Sequence, residues 1–226
     1  DPCRAIPYVL HVDVEVPNIE ATVTAAFEEV EALTGLDFEY KGKHELAISD
    51  FGSESNLLLA DDRPFRNIDT DFRPVLVHIN NSDDFFDRVL ADGYSDAAGL
   101  AGPIGRYLDD GLVSVSGNIY LDGEFLNEII ELGFPQDAKA IVLHEIGHVV
   151  GLGHVETSQE LMYGDGDGGG FLGENPVTFQ KGDTRGLWEL GSVECLSAVD
   201  YPRPIPGFNP IEIISGEPGT VKSQIR

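Results

Sequence analysis

The sequence predicts an α+β fold in one domain. Three observations predict it. Apolar and polar residues alternate from Tyr8 to Val16, and a long run of helical period follows at once. Pro74 to Asn80 (Pro-Val-Leu-Val-His-Ile-Asn) is a short apolar run that reads as a buried strand. The chain has 226 residues and 42% apolar residues, enough for one sizeable core and a tail.

In order along the chain, Tyr8, Leu10, Val12, Val14 and Val16 share one face of a half-buried strand. Pro17-Asn18 punctuates, with Asn18 as N-cap. Ile19, Val23, Ala26, Phe27, Val30 and Leu33 recur at helical spacing, and Gly35 follows as a stop, so a helix spans about Ile19 to Thr34. Phe38 to Ile48 suggests a second strand or a hairpin. Asn56 to Ala60 is ambiguous, and Asp61 to Arg73 reads as loop. After the buried strand, Ser82 to Leu90 is a short helix or an ordered loop. Gly93 to Gly111 is rich in small residues, and Leu112 to Leu121 alternates as a strand. Phe125 to Leu132 is a short helix, and a long one runs from about Gln136 to Val150. Gly164 to Gly170 is loop. Asp183 caps a last helix containing Leu187, Trp188 and Leu190. Residues 1–195 form the domain; prolines and glycines recur without a period over 196–226, an extended tail or linker.

The chemistry is concentrated in His144-Glu145-Ile146-Gly147-His148-Val149-Val150-Gly151-Leu152-Gly153-His154. Histidines at i and i+4 lie on one helix face and can hold one metal ion. Glu145 flanks that pair without entering the ligand set. Gly151 can adopt a left-handed conformation that ends the helix. His154 then returns as a third ligand. Three imidazoles suit one Zn2+ ion and leave a fourth position open, which marks a catalytic site.

Fourteen Lys and Arg stand against 40 Asp and Glu, a net charge of −26. That balance argues against nucleic-acid partners and against anionic membrane surfaces. No apolar run is long enough for a membrane span. The two cysteines, Cys3 and Cys195, are either free thiols or a disulfide tying the N-terminus to the last helix. The disulfide is the expectation in an oxidising compartment. A chain that begins at Asp1 without a basic-then-apolar leader is expected to be the mature form of a secreted, extracellular protein. Asp165 and Asp167 in the glycine-rich loop fall short of the six to eight oxygens calcium takes, so Ca2+ remains an unsupported option. Asn80-Asn81-Ser82 fits a glycosylation acceptor, a pattern common by chance.

Five motif positions (His144, Glu145, His148, Gly151, His154) and the single methionine, in Leu161-Met162-Tyr163-Gly164, carry a resemblance to the metzincin zinc peptidases. The chain looks like a matrixin-type member and is most similar to secreted bacterial ones. Gly182 to Gly191 is also similar to the family's C-terminal helix. The resemblance covers roughly Ala5 to Gly191. It implies a twisted, mostly parallel five-stranded sheet with one antiparallel edge strand, three main helices and a zinc cleft. Ala97 to Gly105 is the candidate edge strand, with Leu112 to Leu121 beside it.

It also implies a zinc metalloendopeptidase that binds a protein or peptide substrate in extended form along that edge, as a monomer. Hydrolysis would use a zinc-bound water with Glu145 as general base. Met162 would be the structural floor of a Met-turn. Tyr163 and Ala140 would line the pocket for the residue after the scissile bond. Val155 departs from the animal subfamilies, which have Ser, Glu or Asp there. Gly164 stands where some relatives place a tyrosine ligand, so none is expected. His11, His44 and His78 are scattered in the sequence, so no second, structural zinc is expected. The alternative reading is a catalytically inactive, zinc-bound protein-binding module on the same fold.

Overall fold

A computed structural model describes residues 3–43, 74–81, 97–108, 111–164, 173 and 176–193. Among them run five strands, β1 (Ile6–Val12), β2 (Phe38–Lys43), β3 (Val75–Asn80), β4 (Gly99–Leu108) and β5 (Gly111–Asp122). Four helices accompany them: α1 (Ile19–Thr34), α2 (Gly123–Glu131), α3 (Pro135–Val150) and α4 (Lys181–Gly191).

The sheet order is β2-β1-β3-β5-β4. All neighbours are parallel except β4, which runs antiparallel to β5 at the edge. The architecture is the α+β one expected. The edge strand is longer than anticipated, reaching Leu108 rather than Gly105, with an irregularity in register between Ile104 and Gly105.

Helix α1 has the expected limits because its signals are local. Ile19, Val23, Ala26, Phe27 and Val30 are buried on one stripe, and Gly35 (φ 74) returns its N–H to Glu31 O. Asn18 does stand at the N-cap, but it sits in the left-handed region (φ 58) and makes no side-chain cap bond. Its carbonyl accepts from Thr22 N instead.

The first-strand expectation needs correction. The first strand stops at Val12, not Val16, and is not half-buried. Val9 and His11 are 1% and 7% exposed, so the face opposite Tyr8 and Leu10 is buried too. The strand lies in the interior of the sheet, between β2 and β3. His11 and His78, far apart in the sequence, meet in space. Parallel pairing sets them side by side, ring centroids 5.8 Å apart, and His78 stacks on Tyr120 at 4.9 Å. Burial holds His78, which is fully enclosed, down to about 3, with a smaller contribution from His11.

The helices share the other sheet face. Phe27 stacks on Tyr8 at 4.0 Å and tilts against Phe38 at 5.0 Å. Lys139 of α3 reaches Glu29 of α1 at 2.7 Å. A Cβ on Gly117 of β5 would lie 2.6 Å from Val149 Cγ1, so α3 seats directly on the β5 backbone. This close seating brings the histidine helix against the β4–β5 edge. The readings for Asn56 to Arg73, Ser82 to Leu90, residues 165–170 and the tail fall outside the described residues.

Candidate active site

Pro135 opens α3 at its first turn, where the missing N–H would have no intrahelical acceptor anyway. Sixteen residues of helix then present His144 and His148 one turn apart. Gly151 (φ 115) closes the helix, its N–H reaching Gly147 O and His148 O, and Leu152 N bonds Gly147 O at 2.8 Å. The chain turns back, and Val155 forms a short parallel bridge with Tyr163. Val155 N donates to Met162 O at 2.9 Å. That bridge brings His154 home and ties it to the methionine turn.

The three Nε2 atoms converge. His144 lies 3.1 Å from His154 and 3.1 Å from His148, and His148 lies 3.0 Å from His154. His144 Nδ1 donates to Leu161 O and His148 Nδ1 to Leu152 O, both at 2.8 Å. A carbonyl can only accept, so these Nδ1 atoms carry the protons and each Nε2 turns a lone pair toward the common centre. The lone pairs of His144 and His148, with their Nε2 atoms 3.1 Å apart, repel unless a cation lies between them. Protonation is disfavoured: burial, then His148, lowers His144 to about 3, and burial lowers His148 and His154 as well.

Zinc held tetrahedrally at about 2.0–2.1 Å from each nitrogen would space them about 3.3 Å apart, close to what is seen. The donor set therefore fits one zinc ion. Among the described residues this is the one group of metal-binding side chains so placed. His144 is buried and His154 exposed, so the centre opens to solvent on one side.

Glu145 is 5% exposed, and its Oε2 is buried without a hydrogen-bond partner. Burial pushes its carboxyl up to about 8. Its Oε1 lies where a side chain on Gly99 of β4 would have to go, 2.7 Å from the would-be Cβ. Gly99 had no sequence signal beyond its place in a glycine-rich stretch.

Met162, 1% exposed, packs beneath the helix between the two ligands. Its Sδ is 2.6 Å from where a Gly147 Cβ would stand. Gly164 lies against the ring of His154, whose Nδ1 is 2.5 Å from the would-be Cβ. In this arrangement the ring itself takes the space beside position 164. Tyr163 is half-buried, and Ala140 is enclosed in the core, 1% exposed.

Asp183, read as the helix cap, is the third residue of α4; Gln180 is the N-cap, and the two form a reciprocal capping box. Its further bonds to Leu161 and Met162 were not foreseen. No described cysteine is free, and Cys195 lies outside the described residues.

An archaemetzincin from Methanopyrus kandleri has a similar fold, with a TM-score of 0.52 and 17% identity over 82% of this chain and 95% of that one. An archaemetzincin from Archaeoglobus fulgidus, complexed with malonate, matches with a TM-score of 0.44 and 14% identity over 79% of this chain and 98% of that one. A zinc-dependent peptidase from Methanocorpusculum labreanum matches with a TM-score of 0.42 and 18% identity over 80% and 99%. No curated protein sequence matches the chain. The family described as Matrixin matches residues 8–190, from β1 to the end of α4 and through the whole histidine centre, and the chain belongs to this family of zinc metallopeptidases.

Proposed function

We propose that the chain is a secreted endopeptidase in which Glu145 is the general base. The observation that carries the reading is the Glu145 carboxylate, enclosed on the residue next to His144 with one oxygen unpartnered. A bound zinc would supply Lewis acidity, polarising the scissile carbonyl and acidifying water. Glu145 would take the proton from the attacking water and pass it to the leaving amine.

Among the described strands β4 ends the sheet, and its outer backbone edge would pair with an extended peptide. Tyr163 and Ala140 would line the pocket for the residue after the cleaved bond, the small Ala140 leaving it open and apolar. Met162 would be the apolar floor under the metal site and not a ligand. The chain would act as a monomer. Export would suit a Cys3–Cys195 disulfide, which non-reducing peptide mapping would reveal. No described helix is long and apolar enough to cross a membrane.

The test is Glu145→Ala in a fluorogenic peptide assay beside metal analysis. Zinc content and thermal midpoint should stay at wild-type values while hydrolysis is lost. Full activity in that variant would sink the mechanism, and wild-type chain that binds zinc without cleaving any peptide would favour the inactive binding module.

A further inference from the structure

Two carboxylates are exchanged between the methionine turn and α4. Asp183, 3% exposed, accepts from Leu161 N at 2.7 Å and Gln180 N at 3.0 Å on Oδ2, and from Met162 N at 3.4 Å on Oδ1. In the other direction, Glu160 Oε2 accepts from Gly182 N at 2.9 Å and Asp183 N at 3.0 Å. Gly182 and Asp183 carry first-turn amides, which no helix can satisfy from within. The helix dipole favours both negative groups there.

Only one peptide separates this exchange from the metal centre. Asp183 holds the N–H on each side of residue 161, Leu161 N at 2.7 Å and Met162 N at 3.4 Å, and the peptide that ends in Met162 N begins with the Leu161 carbonyl, which takes the proton of His144 Nδ1 at 2.8 Å. The ring of His144 therefore points where the Leu161 carbonyl points. We propose that Glu160 and Asp183 are positioning residues of the metal centre, a reciprocal clasp that orients His144 through the Leu161–Met162 peptide. The proposal rests on the zinc reading of the three histidines.

The two carboxylates differ in a way that makes the proposal testable. Asp183 uses both oxygens as acceptors, so Asp183→Asn must turn an NH2 against a backbone N–H. Glu160 uses one oxygen for both of its amides, so Glu160→Gln can leave its carbonyl oxygen in that place.

The experiment compares the full chain with Asp183→Asn, Glu160→Gln and Glu160→Ala. It reads zinc affinity by chelator competition, the visible spectrum of the cobalt-substituted protein, and the thermal midpoint without metal. Asp183→Asn should weaken zinc binding by about tenfold or more and change the cobalt spectrum, as loss of a ligand's outer support typically does. Glu160→Ala should weaken it less, and Glu160→Gln should stay within about twofold of wild type. Should Asp183→Asn fail to fold, Glu160→Ala, at a half-exposed position, decides alone. Wild-type zinc affinity in both Asp183→Asn and Glu160→Ala, or in Glu160→Ala where Asp183→Asn does not fold, overturns the clasp even with a lowered midpoint and leaves the carboxylates a purely structural role. A wild-type chain that does not bind zinc at all overturns the zinc reading, and the clasp with it.

Discussion

Gly99→Ala tests whether the β4 backbone sets the position of the base. The added Cβ would stand 2.7 Å from Glu145 Oε1 and 2.8 Å from its Cδ and Cγ. Ordinary contact begins near 3.4 Å, so the carboxylate must retreat by roughly 0.7 Å. Free space is short, because Glu145 is 5% exposed and its other oxygen is already buried. The backbone at Gly99 is not left-handed, so alanine fits the strand, and the pairing of Gly99 with Leu121 is kept. The perturbation therefore falls on the base and spares the fold. A misplacement of about 1 Å can cost about a hundredfold in rate. We expect kcat to fall by roughly ten- to a hundredfold, with zinc content unchanged and KM little altered. Initial-rate kinetics on one fluorogenic peptide, with metal analysis of the same sample, measure it. A kcat equal to wild type would refute the reasoning, since the carboxylate would then have moved aside without consequence.

Gly164→Ala should drive a methyl group against the His154 ring and lower zinc affinity, by about tenfold, while the metal-free protein keeps its midpoint; chelator competition reads the first and a thermal scan the second. Phe27→Ala should destabilise the domain by about 3–5 kcal/mol in urea unfolding, because it removes a ring that is 1% exposed and stacked on Tyr8. His78 governs part of the acid stability. It is neutral when folded down to about pH 3, whereas an exposed histidine binds a proton below 6.5. The unfolded chain then holds more protons, so stability falls as pH drops from 6.5 toward 3, by about 2 kcal/mol at pH 5. His78→Phe keeps a ring against Tyr120 and should flatten that slope in metal-free unfolding titrations; an unchanged slope would assign it to other groups.

The metal ligands could be read in the sequence because their geometry is local. The i, i+4 pair and the glycine stop fall within 11 residues, and the helix does the rest. Helix α1 was legible for the same reason, with its stripe and Gly35 both in view. Strand alternation says which residues share a face but not which strand lies alongside. That is why His11 and His78 looked scattered until parallel pairing joined them. It is also why β1 was overextended: Val14 and Val16 continue the alternation after the chain has left the sheet. Asp183 showed only its local half. A carboxylate near a helix start reads as a cap, but nothing in the sequence says that its free valences reach Leu161 and Met162.

The parts that escaped the sequence share a physical feature. Each group at the centre rests on a backbone that has no side chain: Glu145 on Gly99, Met162 on Gly147, the His154 ring on Gly164. Glycine is needed there for close approach, since none of these three has a left-handed φ. Backbone is held by hydrogen bonds and moves less than a side chain, so it defines position more tightly than packing against a rotamer could. The ligand set is thus written in one helix and its turn, but its orientation is supplied by three other segments, β4, the methionine turn and α4. A chain that kept His144, His148 and His154 yet carried larger residues at 99, 147 or 164 would still offer three imidazoles. It would lack the fit that aims them, and with them the base, at one point.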